Sequence, residues 1–198
     1  GMQRVYRRAV TRAYAVVAIC QKMADEYRRR FGGSYVLAMN SVAIEETSPP
    51  TALTPDRPAV LHFAGNLGLN RWRVLASVGR ALDELAERHG ITAQLEIYSI
   101  DEPEPAVLEA LTTSRRVRFC GAVGHDELRE HRARADVVVH VESFDRRNRH
   151  VTRLSVSTKI PEYMASDRAI FAVGPGGVAS IEYLRDNEIG QVFTEDSP

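Results

Sequence analysis

The regular alternation of short apolar runs with helical stretches from Ala59 onwards constrains the fold more than any other feature of this sequence. Apolar runs such as AVLHFA, at Ala59–Ala64, have the length of buried strands. The segments between them repeat apolar residues at helical spacing, and the longest extends from Leu69 to His89. Strands that alternate with helices over short loops form right-handed βα units on a parallel sheet. The pattern therefore predicts an α/β fold with a doubly wound parallel sheet.

The other elements of this region follow from the same pattern. Further strands are expected at Ala93–Tyr98, Val117–Cys120, Asp136–Val141, Ala169–Val173 and Gln191–Phe193, and further helices at Pro105–Thr112, Glu127–Ala133, Pro161–Ala165 and Val178–Asn187. The arginine-rich stretch Asp145–Arg153 is predicted to be a mobile surface loop, which could close over an anionic ligand.

The sequence before Ala59 is organised differently. It predicts helices at Val5–Thr11 and Gln21–Phe31, a buried strand in the apolar run Ala13–Cys20, and a strand at Tyr35–Met39. Residues 45–58 hold four prolines and show no apolar periodicity, which disfavours both helix and sheet interior. We therefore expect a partial domain at 1–44, a linker at 45–58 and a second domain at 59–198.

Charge and cysteine content exclude some classes of protein. The 26 basic and 26 acidic residues cancel, so the chain lacks the basic excess of a nucleic-acid binder. Cys20 and Cys120 each end an apolar run, which favours buried thiols over a disulfide and a reducing compartment. We expect a cytoplasmic protein that does not bind nucleic acid.

The sequence shows neither a membrane span nor a signal peptide. No segment approaches the roughly 20 apolar residues that a span requires, and the start GMQRVYRRAV lacks an apolar centre. The predicted first helix is basic, with Arg4, Arg7, Arg8 and Arg12. Such a face is either solvated or makes peripheral contact with a membrane, which would place the protein at its inner face.

The stretch from Ser155 to Glu162 is the first candidate site. Hydroxyl groups at Ser157 and Thr158 run into Lys159, one of only two lysines in the chain, and then into a short helix that carries Glu162. Unpaired backbone N–H groups at a helix N-terminus favour phosphate, and a lysine adds a compact charge. The alternative is that the hydroxyls cap the helix and that Glu162 is solvated.

A second candidate is the segment AGNLGLN at Ala64–Asn70. Gly65 and Gly68 allow a ligand close to the backbone, and Arg71 in the first turn of the following helix could reach a phosphate. The third glycine of the dinucleotide-binding motif is missing, and glycines in such turns are often steric. Because both candidate turns follow strands of one parallel sheet, we expect them to share a crevice.

Other polar residues have weaker patterns. Glu142 and Asp145 follow the strand DVVVHV, at the end where sites occur. His62 and His140 lie within apolar strands and are interpreted as buried, hydrogen-bonded residues, while His125 is expected at a helix cap. No Cys/His/carboxylate spacing indicates zinc, and no GxSxG nucleophile motif is present.

Four segments together resemble a glycosyltransferase of the GT-B fold, most similar to glycosyltransferase family 4. FAGNL resembles the first strand and glycine loop of the nucleotide-binding domain, and VRFCGAVGHDELREHRARADVVVHVES resembles a later strand, helix and buried strand. TKIPEYMASDRAIFAVGP, the most specific segment, resembles the family's lysine, glutamate-bearing helix and following strand. AYAVVAICQKMADEYRRRFG through Asn40 loosely resembles the end of the acceptor-side domain.

The resemblance implies a Rossmann-like C-terminal domain with a short remnant of the N-terminal domain, and a chain that continues before Gly1 and past Pro198. The implied activity is hexosyl transfer from a nucleotide-diphosphate sugar to a hydroxyl of a saccharide or lipid-linked acceptor, in polysaccharide or glycoconjugate synthesis. The family generally needs no metal or other cofactor. Acid–base residues would lie in the missing half, so no catalytic residue is assigned and the fragment is expected to be inactive alone.

Carried over by residue, the resemblance implies that Glu162 binds the ribose hydroxyls. Lys159, with backbone amides near Ser157 and Thr158, would hold the diphosphate. The remaining implied donor-binding positions are Gly65, which admits the donor, Asn66 in the glycine loop, Arg71 at a phosphate-binding position, and Val123 against the base.

Three positions depart from the family pattern. Leu154 stands where many retaining members have a first glutamate, Asn66 replaces an arginine, and Trp72 replaces a glycine. These departures leave two alternatives open. One is a non-catalytic nucleotide-sugar-binding or scaffolding module of the same fold. The other is a nucleotide-sugar epimerase, for which Glu142 and Asp145 are the carboxylates in position.

Overall fold

The computed structural model of the chain describes residues 2–44 and 57–195. Within these residues the strands are β1 Val17–Ala18, β2 Val36–Leu37, β3 Ala59–Ala64, β4 Ala93–Tyr98, β5 Val117–Gly121, β6 Val137–Val141, β7 Ala169–Val173 and β8 Gln191–Phe193. The helices are α1 Met2–Arg12, α2 Gln21–Phe31, α3 Arg71–His89, α4 Pro105–Thr112, α5 His125–Arg134, α6 Arg146–Thr152, α7 Ile160–Met164 and α8 Ala179–Asp186. The predicted linker lies outside the described residues, apart from Arg57 and Pro58, so the division into domains stays a prediction.

A six-stranded parallel sheet in the order β5-β4-β3-β6-β7-β8 forms the centre of the fold. The chain enters at β3, builds towards one edge through β4 and β5, and then returns to the other side of β3 with β6. This is the strand order of doubly wound dinucleotide-binding folds, in which the direction of winding changes between the first and fourth strands. The predicted α/β class with a doubly wound parallel sheet is confirmed.

The sheet separates two apolar cores, because successive strand residues point to opposite faces. On one face, Leu61, Phe63, Leu95, Ile97, Val139 and Val141 pack against Val74, Leu75, Val78 and Leu82 of α3 and Leu111 of α4. On the other face, Val138, Ile170 and Ala172 pack against Ile160 and Tyr163 of α7 and Ile181 and Leu184 of α8. Both faces are covered, as the continuous apolar strands require.

Asp136 joins β3 and β6 at the amino end of the strands. Its carboxylate accepts hydrogen bonds from the Val60 backbone N–H at 2.8 Å and from the Arg57 guanidinium at 2.7 and 2.9 Å. Burial raises the pKa of Asp136, but the bonds from Arg57 and Val60 outweigh it and leave that pKa below the ordinary 3.8. These bonds therefore fix the relative position of β3 and β6 at their amino ends, opposite the carboxyl ends where the candidate site lies.

The apolar run at Ala13–Cys20 is a strand only at Val17–Ala18, so the prediction of a buried strand over this run is wrong. β1 pairs with β2 alone, and α2 packs on this pair where Ala18 and Ala24 are buried. Val17 is 59% exposed, and Val36 opposite it is 57% exposed. An apolar run forms a buried strand only where neighbouring layers cover both of its faces.

The stretch Asp145–Arg153 contains the helix α6, so the prediction of a loop is also wrong. The Asp145 carboxylate caps this helix by accepting hydrogen bonds from the backbone N–H groups of Arg147 at 2.9 Å and Asn148 at 3.0 Å. Asn148 is buried, and its side-chain amide donates to the Leu69 carbonyl at 2.7 Å. The arginines dominate the composition of this segment, and they obscure the capping aspartate and the buried face.

The cysteines are less buried than their sequence context indicates. Cys20 and Cys120 are free thiols of intermediate exposure. The Cys20 thiol donates to the Leu154 carbonyl at 3.5 Å, and nearby Arg153 pairs with Glu26 of α2 at 3.1 Å. These contacts attach the N-terminal helices and strands to the large sheet.

We expect Asp136→Asn to lower the free energy of unfolding by about 2 kcal/mol at neutral pH, because it weakens charge-assisted hydrogen bonds to Arg57 and Val60. Since the folded pKa of Asp136 is depressed, this stabilisation is present above the unfolded pKa and is lost as the pH falls through the folded one. Urea denaturation at several pH values should show a constant gap between wild type and variant that closes only in acid.

Asp83→Asn is the matched control for Asp136→Asn. Asp83 is 38% exposed in its side chain and pairs with Arg116 at 3.7 Å, so its replacement should cost less than about 1 kcal/mol. Equal losses in the two variants would show that Asp136 does not join the strands.

Candidate functional site

The two turns identified in the sequence meet at one cleft. The turn after β3 supplies Gly65 and Asn66, the start of α3 supplies Arg71, and the segment before α7 supplies Ser157, Thr158 and Lys159. Between them lie His140 and Glu142 at the end of β6, in a cleft of about 150 Å³. The cleft opens at the carboxyl ends of β3 and β6, where the strand order changes direction. Sheets of this type bind ligands at that place.

Neighbouring elements hold the turn after β3. The Gly65 N–H donates to the Tyr98 carbonyl at 3.0 Å, and the Leu67 N–H donates to the Asp101 carboxylate at 2.6 Å. Leu69 and Asn70 have φ values of 56° and 61°, in the left-handed region that residues other than glycine seldom adopt. The hydrogen bond from Asn148 to the Leu69 carbonyl supports this conformation.

A buried tyrosine holds the segment before α7. The Tyr163 hydroxyl donates to the Ala64 carbonyl at 3.4 Å, which attaches α7 to the end of β3. The Ser157 hydroxyl accepts from the Lys159 N–H at 3.3 Å, so it closes a local turn. Lys159 is the N-cap residue of α7, and its side chain makes no capping hydrogen bond. The predicted capping role of the hydroxyls therefore reduces to this turn at Ser157.

The cationic groups of the cleft differ in their partners. Arg71 donates to the Asn66 amide oxygen at 2.7 Å and to the Glu142 carboxylate at 3.0 Å. The Ser180 hydroxyl donates to the other oxygen of Glu142 at 3.3 Å. No carboxylate among the described residues pairs with Lys159. The cleft therefore has one positive charge in excess and attracts an anion.

Burial changes the pKa values of the two titratable groups at the end of β6. Burial raises the pKa of Glu142, and Arg71 and Ser180 oppose the rise. Burial and the charge of Arg71 lower the pKa of His140 to about 4, so this imidazole is neutral near neutral pH. Its Nε2 atom lies 3.8 Å from Glu142 and has no hydrogen-bond partner among the described residues.

The expectation that both strand histidines are hydrogen-bonded is wrong. His62 is fully buried, and neither of its ring nitrogens has a partner in the described parts of the chain. Burial, with the nearby charges of Arg132, His131 and Lys159, lowers its pKa to about 3. The ring packs 4.9 Å from that of Tyr98, so His62 behaves as a neutral core residue.

Val123 lies in a second cleft that joins the first. Ala64, Gly65, Asn66 and Lys159 line both, and the second has a volume of about 210 Å³. Its other walls come from the end of β4, the end of β5 with the loop after it, and α5: Tyr98, Ser99, Ile100, Gly121, Ala122, Val123 and Leu128. The structure thus offers a polar cleft continued by a more apolar one, which suits a ligand with a charged part and a flat part.

Glu162 lies apart from the residues with which it was grouped. It lines a different cleft of about 240 Å³, together with His125 and Arg132. The Arg132 guanidinium donates to its carboxylate at 2.7 Å, across 30 residues of sequence. Seven of the eight predicted site residues therefore line the two joined clefts, and the role of Glu162 stays a prediction.

Sequence reasoning missed several residues that shape the site. It placed Glu142 at the end of a strand but did not pair it with Arg71, and it did not identify Ser180 or Tyr163. The only signal for Glu142 was a carboxylate directly after a buried strand. Ser180 and Tyr163 come from helices packed on the sheet, and no local motif marks them.

No protein-family model matches the chain, and no curated protein matches it in sequence. In structure, the chain has the fold of GT-B glycosyltransferases, which confirms the resemblance at the level of the fold. Three solved structures illustrate the likeness. TarM from S. aureus matches with a TM-score of 0.68 at 11% identity, over 98% of this chain and 36% of TarM.

The other two similar structures are WaaG, a glycosyltransferase involved in lipopolysaccharide biosynthesis, and the pneumococcal O-GlcNAc transferase GtfA. WaaG matches with a TM-score of 0.63 at 15% identity, over 92% of this chain and 50% of WaaG. GtfA matches with a TM-score of 0.64 at 15% identity, over 98% of this chain and 36% of GtfA. The chain thus spans half or less of the length of these proteins.

The described residues provide neither a membrane-spanning helix nor a metal-binding cluster. None of the helices described is both long and apolar enough to cross a bilayer. No group of three or more His, Cys, Asp or Glu side chains within residues 2–44 and 57–195 is arranged to hold a metal ion.

We expect Arg71→Ala and Lys159→Ala to differ in stability. Removing Arg71 leaves Glu142 buried without its cationic partner, which should cost about 2 to 3 kcal/mol. Removing Lys159 breaks no ion pair in the described structure, so its cost should stay within about 0.5 kcal/mol. Chemical denaturation of both variants at neutral pH measures the difference. A loss for Lys159→Ala as large as that for Arg71→Ala would contradict this account of the cleft's charge.

Proposed function

We propose that the two joined clefts bind a nucleotide-diphosphate sugar, and that the chain forms the donor-binding part of a glycosyltransferase. The observation that carries this proposal is the meeting of an arginine, a glycine turn and a lysine without a carboxylate partner among the described residues, at the switch in strand order. The charge of Lys159 favours the diphosphate, and the apolar cleft around Val123 offers a surface for the base. The implied reaction transfers a hexosyl group to an acceptor hydroxyl.

The ligands in the similar structures agree with this proposal. One TarM structure contains UDP together with alpha-GlcNAc-glycerol, and the GtfA structure contains UDP and GlcNAc. The shared fold makes a uridine diphosphate sugar a reasonable first donor to test, with a saccharide or lipid-linked acceptor. The role in polysaccharide or glycoconjugate synthesis at the cytoplasmic face of a membrane belongs to the same proposal.

The chain's own residues would contribute mainly electrostatic stabilisation. When the sugar leaves, negative charge grows on the diphosphate, and Lys159 and Arg71 lie where they stabilise it. Because Arg71 is already held by Asn66 and Glu142, it needs little reorganisation at that moment. For Glu162 to bind ribose hydroxyls, its carboxylate must share or exchange its bond to Arg132.

The structure disfavours the epimerase alternative. Glu142 is paired with Arg71, and Asp145 caps α6 through two backbone N–H groups. Both carboxylates proposed for acid–base work are therefore engaged in structural bonds. A non-catalytic binding module remains the second candidate, because the side-chain oxygen of Asn66 accepts a hydrogen bond from Arg71 and is not free to contact the ligand. That module would bind the nucleotide without transferring the sugar.

Isothermal titration calorimetry with uridine diphosphate and guanosine diphosphate tests the donor site. We expect one of the two to bind, and Lys159→Ala to weaken binding about tenfold or more because a charge-assisted contact is lost. Lys22→Ala is the matched control, since it removes the chain's other lysine, which pairs with Glu182 away from the cleft. Its affinity should equal that of the wild type.

Two outcomes would contradict the donor-site proposal. Failure of the wild type to bind either nucleotide would favour a scaffold that has kept only the fold. Equal weakening by Lys159→Ala and Lys22→Ala would show that any binding occurs outside the cleft.

We further propose that α1 makes peripheral contact with an anionic membrane surface. Arg4, Arg8 and Arg12 lie one turn apart on this helix, are exposed, and pair with no carboxylate in the described part of the chain. Val5 beside them is 68% exposed, so the helix presents both charge and apolar surface. This combination supports an interfacial helix over a merely solvated one.

Co-sedimentation with vesicles of phosphatidylcholine and anionic phosphatidylserine tests the membrane contact. Replacing Arg4, Arg8 and Arg12 by Gln should weaken binding by about two orders of magnitude, at about 1 kcal/mol for each arginine. The matched control replaces three other exposed arginines that each pair with a carboxylate, Arg88, Arg118 and Arg134. Equal weakening of vesicle binding by the two triple variants would show that binding depends on net charge alone and not on α1.

A further inference from the structure

Glu142 is a buried carboxylate that faces the donor cleft, and the proposed function uses it only as a partner of Arg71. Its side chain is 5% exposed and comes from the end of β6, in the wall between the two ligand-binding turns. A carboxylate facing an anion-binding cleft opposes the proposed ligand, so its presence there needs an explanation.

The surroundings of Glu142 allow its side chain little freedom. One carboxylate oxygen accepts from Arg71 at 3.0 Å, and the other accepts from the fully buried Ser180 at 3.3 Å. A Cβ atom at Gly174 would come within 2.9 Å of both the Glu142 Cβ and the Ile181 side chain, so the backbone just after β7 packs directly against Glu142. Glu142 is therefore a fixed acceptor for Arg71.

Arg71 is consequently held from two sides. One terminal nitrogen of its guanidinium donates to Asn66 at 2.7 Å and the other donates to Glu142 at 3.0 Å. Asn66 belongs to the turn after β3, and Glu142 directly follows β6. The guanidinium thus bridges the two strands that border the cleft, and its orientation depends on both acceptors.

The charged and titratable groups that face Glu142 come from every element around it. Arg71 lies on α3, His140 lies on β6 with its Nε2 at 3.8 Å, and Lys159 lines the same cleft before α7. From α8 the contact is the uncharged Ser180. His140 is neutral near neutral pH because its pKa is about 4, so it does not titrate there. Burial raises the pKa of the Glu142 carboxyl, which makes it the acceptor for an added proton.

We propose that Glu142 is a positioning residue that holds the Arg71 guanidinium in the cleft, and that binding of a nucleoside diphosphate is coupled to uptake of a proton by Glu142. This inference rests on the proposed function, because it concerns the same cleft and the same ligand. The unliganded cleft keeps Arg71 in place with a carboxylate. The liganded cleft neutralises that carboxylate and leaves the full charge of Arg71 to the diphosphate.

Electrostatics gives the direction of the coupling. A diphosphate at Arg71 brings negative charge close to Glu142, and this repulsion favours the protonated carboxyl. Burial already raises the pKa of Glu142, which reduces the cost of adding the proton. Since the protonated form binds the anion better, affinity should rise as the pH falls and weaken as Glu142 ionises.

The test compares wild type with Glu142→Gln by calorimetric titration of uridine diphosphate between about pH 6 and pH 8. Buffers of different ionisation enthalpy report the number of protons taken up on binding. For the wild type we expect net uptake and a dependence of affinity on pH that is steeper than in the variant, by at most tenfold per pH unit for one proton. The titration of the free ligand's own phosphate is common to both proteins and cancels in the comparison.

Glu142→Gln keeps an oxygen that accepts from Arg71 but carries no charge. We expect it to bind uridine diphosphate about three- to tenfold more tightly than wild type at pH 8, because one negative charge near the ligand is removed. Glu142→Ala removes the acceptor as well, so it should bind more weakly than Glu142→Gln at every pH. The difference between Glu142→Gln and Glu142→Ala therefore measures the positioning of Arg71, and the difference between wild type and Glu142→Gln measures the effect of the charge.

Glu182→Gln is the matched control. Glu182 lies on the same helix as Ser180 but pairs with Lys22 outside the cleft, so this variant should keep the wild-type dependence on pH. Identical pH profiles for wild type and Glu142→Gln would overturn the proton coupling. Equal affinities of Glu142→Gln and Glu142→Ala would overturn the positioning role. Absence of any nucleotide binding by the wild type would instead reject the proposed function, and this inference with it.

Discussion

The structure depends on the parallel pairing of β3 with β6 in the middle of the sheet. The chain winds in one direction from β3 and in the other from β6, so the loops that follow these two strands diverge. The gap between them is the cleft that contains Lys159 and Arg71. Asp136 and Arg57 fix the pairing at the amino end, and the bridge from Arg71 to Glu142 and Asn66 crosses it at the carboxyl end. The strand order therefore determines both the fold and the position of the site.

The sequence alone predicts the large sheet, because each of its strands is indicated by a local apolar run. The strands Ala59–Ala64, Ala93–Tyr98 and Ala169–Val173 have the bounds that their apolar runs predict. The meeting of the two turns was also predictable, because parallel strands end at one edge of a sheet. By contrast, the run Ala13–Cys20 has no layer over most of its length, and apolar composition alone does not reveal that. The helix in Asp145–Arg153 was hidden because its arginines outweighed one capping aspartate.

The site's charge pairs were beyond prediction for a different reason. Arg71 and Glu142 are separated by 71 residues, and Arg132 and Glu162 by 30. Which carboxylate meets which guanidinium depends on side-chain distances of a few ångströms between packed elements. Sequence spacing predicts which strand end a residue occupies, but not its partner there. The same limit explains why Glu162 was grouped with Lys159, one turn away, although it lines another cleft.

The two walls of the cleft are secured unequally. The wall after β3 is held by hydrogen bonds at Gly65, Leu67 and Leu69, of 3.0, 2.6 and 2.7 Å. The opposite wall, before α7, is joined to β3 by the 3.4 Å bond of the Tyr163 hydroxyl. The segment before α7 is therefore easier to move than the turn after β3. A bulkier ligand would therefore displace the lysine-bearing segment before α7, while the glycine turn after β3 stays in place.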